Sequence, residues 1–290
     1  MRCSRASGVV YRSEVAPSDS VVPRPVLDRR LVDAEFVARD SADVSRTILE
    51  RTGSTNADAA AMLERGERVP FVVVTDEQVS GRGRLDRVWT APFGSSLLMS
   101  LVLAPTAPAA RWGWLPLLTG LAVSDALLEV TGLEVALKWP NDLLVVDRSG
   151  SRKLGGILAE RTPSGHAILG VGLNVDQSPD ELPGPGGVSL RMAGAPVPRE
   201  RLLAAVVASL VRRVDAWSLV GGDPDASGLA NEYSRHCATL GLVVDVSLPH
   251  DGTVRGRAIG VSVDGALVLD TADGSRIVSA GDIVHVRPTL

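Results

Sequence analysis

Apolar positions change their period several times along the chain, and each change marks a predicted element. Residues 27–37 carry apolar side chains at helical spacing, which predicts a short first helix. Residues 45–49 predict a first strand, broken at Thr52-Gly53. An Ala-rich run over 57–64 follows Ser54-Thr55-Asn56, three residue types that cap helix N-termini. The mainly apolar stretches 71–75 and 94–103 have strand length. Residues 107–130 predict a long Ala/Leu helical region with Pro116 as its point of interruption. Strands return at 134–139, 143–146, 153–161 and 168–175, the middle two joined as a hairpin through a turn at 147–151. Residues 176–200 are too rich in Pro and Gly for a hairpin and predict an ordering loop. Residues 201–217 place Leu202, Leu203, Val206, Val207, Leu210 and Val214 on one face of an amphipathic helix, and 229–236 form a shorter one. From Leu240 the texture shifts to short strands at 242–248, 253–263, 266–270, 276–279 and 283–287, the signature of a small β-barrel.

This order predicts an α+β chain in three parts. A disordered leader occupies residues 1–25, a larger domain with a mixed sheet and flanking helices spans 26–238, and a small β-barrel closes the chain at 239–290. Composition narrows the reading. The chain has 290 residues, 45% hydrophobic and 3% aromatic, so its core is mainly Val, Leu and Ala. A formal net charge of −4 argues against a nucleic-acid partner, as does the lack of room for a helical DNA-binding module ahead of residue 45. Cys3 and Cys237 lie in unlike contexts without metal spacing, which predicts free thiols in a reducing cytoplasm. No signal-type apolar region or membrane-length run is present in the sequence, so no membrane association is expected.

Candidate chemistry comes from scarcity. Of 30 basic residues only two are lysines, Lys138 and Lys153, and both sit in dense motifs: Lys-Trp-Pro-Asn-Asp at 138–142 and Lys-Leu-Gly-Gly-Ile-Leu at 153–158. Positions that hold a compact ammonium in an arginine-rich chain point to a task that a planar guanidinium performs badly. Asn56, Asn141, Asn174 and Gln78 fall in similar clusters, and together these residues are taken to outline one site. Gly81-Arg82-Gly83-Arg84 follows Gln78 as a flexible cationic loop. Such a loop suits a lid over a phosphate or acyl phosphate, a plain exposed connection, or an RGG-like nucleic-acid segment. There is no Walker A pattern, no His-Glu-x-x-His and no nucleophile elbow, and Gly170-Val171-Gly172 lacks a third glycine. The remaining set suits electrostatic stabilisation of phosphates, with Asp142 a candidate Mg²⁺ ligand.

Ser-Thr-Asn at 54–56, Gln78 ahead of Gly-Arg-Gly-Arg at 81–84, the two lysine motifs and Gly-Val-Gly-Leu-Asn at 170–174 together resemble biotin protein ligases, in order, over about residues 45–287. The resemblance implies a catalytic domain like those of class II aminoacyl-tRNA synthetases followed by an SH3-like β-barrel, and a ligase-only type. It implies biotin and ATP as substrates with Mg²⁺, biotinyl-5′-AMP as intermediate, and a lysine of a biotin carboxyl carrier domain as acceptor. By the same resemblance, Ser54, Thr55, Asn56, Gln78, Gly81, Arg82, Gly83, Arg84, Lys153, Gly156 and Gly170 meet biotin. Arg82, Arg84, Trp89, Lys138, Asn141, Lys153 and Asn174 meet ATP, and Lys153, Arg84 and Lys138 carry the chemistry. A monomer or a homodimer is compatible with it.

Asp86 departs from the family pattern, standing where glycine is usual, and is expected to stiffen the arginine loop. A lipoate–protein ligase shares the acyl-adenylate strategy and is the alternative enzyme. A regulatory nucleic-acid module built on the arginine loop is the alternative from another class.

Overall fold

The computed structural model describes residues 24–84, 87–148, 150–184, 186–248, 252–279 and 282–285. Most of the expected leader, and Asp86 in the arginine loop, lie outside the described residues. The larger domain is built on a seven-stranded mixed sheet. Its strands are β1 (Ser45–Thr52), β2 (Phe71–Gln78), β5 (Ser96–Leu103), β6 (Ala136–Lys138), β7 (Asp142–Asp147), β8 (Gly150–Arg161) and β9 (Ala167–Asn174). They lie in the order β1-β2-β5-β9-β8-β7-β6, with β1 and β2 parallel and every other pair antiparallel. A two-stranded hairpin, β3 (Gly81–Arg82) with β4 (Val88–Trp89), stands apart from the sheet.

Alternation along the central strands sorts side chains onto two faces. Leu97 and Leu101 of β5 and Leu169 and Leu173 of β9 join the main core, covered by α3 (Leu115–Thr131) and α4 (Arg199–Leu219). The opposite face holds a smaller cluster, in which Ala59 of α2 (Thr55–Glu64) meets Phe71, Val73, Val102 and Ile168. α1 (Arg29–Val37) packs on α4, and α5 (Leu229–His236) on α3. Pro116 does not interrupt a helix. A 3₁₀ turn over Ala109–Trp114 precedes it, and Pro116 then falls in the first turn of α3, where its missing N–H costs nothing. The stretch Ala109–Thr131 is apolar enough to cross a membrane by length and composition, yet its apolar 18-residue window is 67% buried in the fold.

The C-terminal unit is an antiparallel sheet of five strands, β10 (Val243–Ser247), β11 (Thr253–Val261), β12 (Leu267–Thr271), β13 (Gly274–Val278) and β14 (Asp282–His285), in the order β13-β12-β11-β10-β14. Its β11–β12 turn is seated in a polar socket of the larger domain. Arg111 donates to Val263 O (3.0 Å), Trp114 Nε1 to Val263 O (3.1 Å) and Trp139 Nε1 to Gly265 O (3.1 Å). Gly113 makes the fit possible, since a Cβ there would overlap the carbonyl of Asp264.

The expected leader boundary at residue 25 needs correction. Arg24 donates to Asp176 and Glu181, the Pro25 carbonyl accepts from Arg199 (2.6 Å), and Leu27 N–H points to the Asp76 carboxylate (3.2 Å). These polar bonds tie a segment whose sequence has no periodicity to reveal it. At their centre is an ion pair between Arg199 and Asp76 (2.7 Å), with side chains only 7% and 2% exposed. Removing one member of such a pair leaves a charge uncompensated in the interior, at a cost of about 3–5 kcal/mol. Arg199→Ala is therefore expected to lower the urea midpoint severely, and Arg199→Met combined with Asp76→Leu to be much milder. Equal losses in the single and double variants would show that the pair's charge is not what matters.

Candidate active site

A cavity of about 390 Å³ opens on the α2 face of the sheet, in the size range of small-molecule sites. Its floor is backbone. Gly170 and Gly172 of β9 and Gly156 of β8 line it, with Gly156 opposite Gly172 and Leu158 opposite Gly170. A Cβ at Gly170 would overlap Asn56 Oδ1, and one at Gly172 would stand 2.8 Å from Trp89 Cε2. From Gly170 to Asn174 the floor runs roughly 13 Å along the strand.

Lys153 reaches this floor through a fault in the strand pairing. Strict alternation would put residues 153 and 156 on opposite faces. The β7–β8 register skips Leu154, passing from Leu143↔Gly155 to Leu144↔Lys153. This bulge lets Leu154 and Ile157 both enter the core while Lys153 and Gly156 both line the cavity. The Lys153 ammonium lies 2.6 Å from Asp142 Oδ1 and 5.9 Å from the centroid of Trp89, whose ring covers the glycines. Trp89 Nε1 is buried and has no hydrogen-bond partner.

Four uncharged polar side chains, Ser54, Thr55, Asn56 and Gln78, also line the cavity. Ser54 is the N-cap of α2, but its side chain makes no capping bond. Gln78 caps the helix from β2 instead, its Oε1 accepting from Thr55 N (2.8 Å) and Thr55 Oγ1 (3.1 Å). The asparagines line the site but are largely committed to wiring it. Asn56 accepts from Ser100 Oγ and donates to Leu158 O (3.2 Å) and Glu160. Asn141 Nδ2 donates to Ile157 O (3.0 Å), and Asn174 Nδ2 to Val188 O (3.0 Å). Gln177 Nε2 in turn donates to Asn174 Oδ1 (3.1 Å).

The β3–β4 hairpin carries the arginine loop over this floor. Arg82, Gly83, Arg84, Arg87 and Trp89 line the cavity, and Gly83 N–H bonds Arg87 O (2.7 Å) across the loop. Gly81 does not line it; it is buried where a Cβ would lie 2.5 Å from Trp89 O, so its part is to let the hairpin close. Arg82 reaches Glu160 of β8 (3.3 Å). The Pro/Gly loop forms the far wall. Pro183, Gly186 and Gly187 line the cavity, Lys153 N–H donates to Gly186 O (2.7 Å), and Val188 N–H to Lys153 O (2.9 Å).

The two lysines are not on neighbouring strands. Lys138 on β6 and Lys153 on β8 flank β7, and Lys138 borders a shallow crease with Pro116, Pro140 and Tyr233 rather than the cavity. Asp142 is the one carboxylate lining the cavity among the described residues, and no cluster of three metal-type ligands occurs among them. Glu160 and Gln177, which hold Arg82 and Asn174, were not legible as site residues: neither falls in a motif, and only the fold brings them in.

Two family models match the chain. One describes the biotin/lipoate A/B protein ligase family and covers residues 48–176; the other describes the biotin protein ligase C-terminal domain and covers 240–286. Fold and site therefore define a ligase of the biotin/lipoate group. The biotin--[acetyl-CoA-carboxylase] ligase of Mycobacterium tuberculosis is 38% identical over 270 residues, 91% of this chain and 97% of that protein. The bifunctional ligase/repressor BirA of Bacillus subtilis is 30% identical over 235 residues, covering 79% and 70%. The Aquifex aeolicus biotin protein ligase in complex with biotin and ATP superposes with a TM-score of 0.69 at 26% identity, covering 84% of this chain and 99% of that one. The chain belongs to the biotin protein ligase family.

The bare floor can be tested directly. Gly170→Ala should force apart the Asn56–Ser100 hydrogen bond and cost about 1–3 kcal/mol, the range for overpacking a tight interior. Thermal melts would show it, and a wild-type melting temperature would mean that the floor has slack.

Proposed function

We propose that this chain activates biotin with ATP as biotinyl-5′-AMP and transfers the biotinyl group to a lysine of a biotin carboxyl carrier domain of an acyl-CoA carboxylase, in the cytoplasm. In the first step a carboxylate oxygen attacks the α-phosphorus and pyrophosphate leaves. In the second the carrier lysine's amine attacks the acyl carbon and AMP leaves. The observation that carries the reading is the placement of the Lys153 ammonium over the glycine floor, beside Gly156 and so level with Gly172, in a cavity that Ser54, Thr55 and Gln78 also line. An elongated ligand with a neutral polar head and a terminal carboxylate is matched by that lining. The Leishmania major biotin protein ligase has been solved with biotinyl-5-AMP, and its fold superposes on this one with a TM-score of 0.58 at 25% identity.

Two mutually repelling anions react only where their charge is offset and their geometry fixed. Lys153 supplies the offset at the junction of carboxylate and α-phosphate. Its bond to Asp142 holds the ammonium in place until the anions take over as its partners. Arg82, Arg84 and Trp89 close over the acyl adenylate, and the buried indole N–H of Trp89 is a donor that a ligand oxygen satisfies. Asn141 and Asn174 fix the backbone around the nucleotide end. The donor set fits Mg²⁺ only as an ion carried on the nucleotide, since Asp142 is a single carboxylate already paired with Lys153. When bound, the ion would neutralise phosphate charge.

Incubation with biotin and Mg·ATP should yield biotinyl-AMP, detected by mass; its absence would sink the reading. Lys153→Arg should reduce pyrophosphate release at least 100-fold, the scale of losing a main electrostatic contact in a transition state. Lys138→Arg should stay within a few-fold of wild type, because Lys138 does not line the cavity. Equal losses in the two variants would refute the separate placement of the lysines.

A further inference from the structure

The search of the molecule beyond the cavity leads to Arg24, which no motif includes. Its guanidinium is 13% exposed and makes four hydrogen bonds. They run from Nε to Asp176 Oδ2 (3.0 Å), from Nη2 to Asp176 O (2.9 Å), and from Nη1 and Nη2 to the two oxygens of Glu181 (3.0 and 2.6 Å). Asp176 lies two residues beyond Asn174, the last residue of β9, and Glu181 lies in the short 3₁₀ turn Pro179–Glu181. Arg24 thus joins the two roots of one loop.

That loop does not end on the surface. Beyond Glu181 it supplies Pro183, Gly186 and Gly187 to the cavity wall, and it is stitched to the backbone of Lys153 on both sides of that residue. It has other supports: Leu182 and Val188 are buried, Gly187 N–H bonds Gly184 O, and Arg191 also reaches Asp176 (3.6 Å). Ser178 and Glu181 form a capping box, and Ser189 Oγ donates to Gln177 O (2.7 Å). Between Leu182 and Val188 the segment has only Pro and Gly among its described residues, so the bidentate guanidinium at its root adds a directional tie that the side chains there cannot.

We propose that Arg24 is a positioning residue for the nucleotide half of the site: by clamping Asp176 to Glu181 it holds the wall formed by Pro183, Gly186 and Gly187 against Lys153. The inference rests on the reading of the cavity as a biotin and ATP site. The Arg24 pair holds the Glu181 carboxyl at about 2, well below its usual 4.5, so the clamp is fully charged at any assay pH near neutrality. Among the described residues no hydrogen bond joins Arg24, Asp176 or Glu181 to the side chains of α2 or of Gln78; the neighbouring Leu27 N–H does bond Asp76 of β2, a tie that Glu181→Gln leaves in place.

The test is kinetic and structural, on the full chain. Arg24→Ala should raise KM for Mg·ATP about tenfold, a loss in the range of charge-assisted hydrogen bonds, while KM for biotin stays within twofold. Arg24→Lys should recover part of the affinity. Glu181→Gln, which keeps the segment 24–28 intact, should reproduce the rise, and adding it to Arg24→Ala should change little further. Independently of turnover, hydrogen exchange in Arg24→Ala should quicken at residues 181–188 more than elsewhere. An unchanged KM for ATP, an equal rise in both KM values, or uniform exchange across the domain would each overturn the proposal. Absence of biotinyl-AMP from the wild type would remove the ATP reading alone, and the exchange result would still decide whether Arg24 holds the wall.

Discussion

The skipped residue in the β7–β8 pairing is the constraint on which the site depends. Without it, Lys153 would share a face with the core side chains and its ammonium would have to be desolvated among leucines, at a cost no domain of marginal stability tolerates. With it, Leu154 and Ile157 remain in the core, Gly156 keeps its place in the floor, and Lys153 meets Asp142 at 2.6 Å. The two adjacent glycines serve different partners. Gly155 sits where a Cβ would lie 2.5 Å from the Leu173 side chain, so it permits the strands to close, whereas Gly156 faces the cavity.

Most of the architecture was legible in the sequence because its elements bury apolar faces with clean periods. The runs at 71–75, 94–103 and 168–175 became central strands, and the predicted helix over 201–217 became α4, extended a few residues at each end. The outcome differed where polar bonds do the work. Arg24 and Pro25 belong to the fold through ion pairs and carbonyl contacts, which leave no pattern in hydrophobicity. The count of two lysines drew both into one site, whereas the fold sets Lys153 in the cavity lining and Lys138 in a crease beside it. Composition shows that a residue is unusual, while strand order decides what it faces.

The scarce amides illustrate a related point. They do gather at one place, as their clustering suggested, yet Asn56, Asn141 and Asn174 direct their N–H groups at backbone carbonyls of the floor and walls. The site is thus held by side-chain amides that substitute for ladder bonds missing where strands give way to loops. Two groups of the cavity stand outside this amide network: the Trp89 indole N–H, which has no hydrogen-bond partner, and the Lys153 ammonium, which pairs with Asp142.

A floor made of glycine has a consequence for redesign. Most pockets can be enlarged by trimming a side chain, but Gly156, Gly170 and Gly172 offer nothing to trim, and any replacement only narrows the groove. Room for a bulkier acid must come from the lid, where Trp89 lies across the glycines, or from Leu158 and Met99 at the edges. Selection toward unnatural biotin analogues should therefore accumulate changes on the walls and leave the floor untouched.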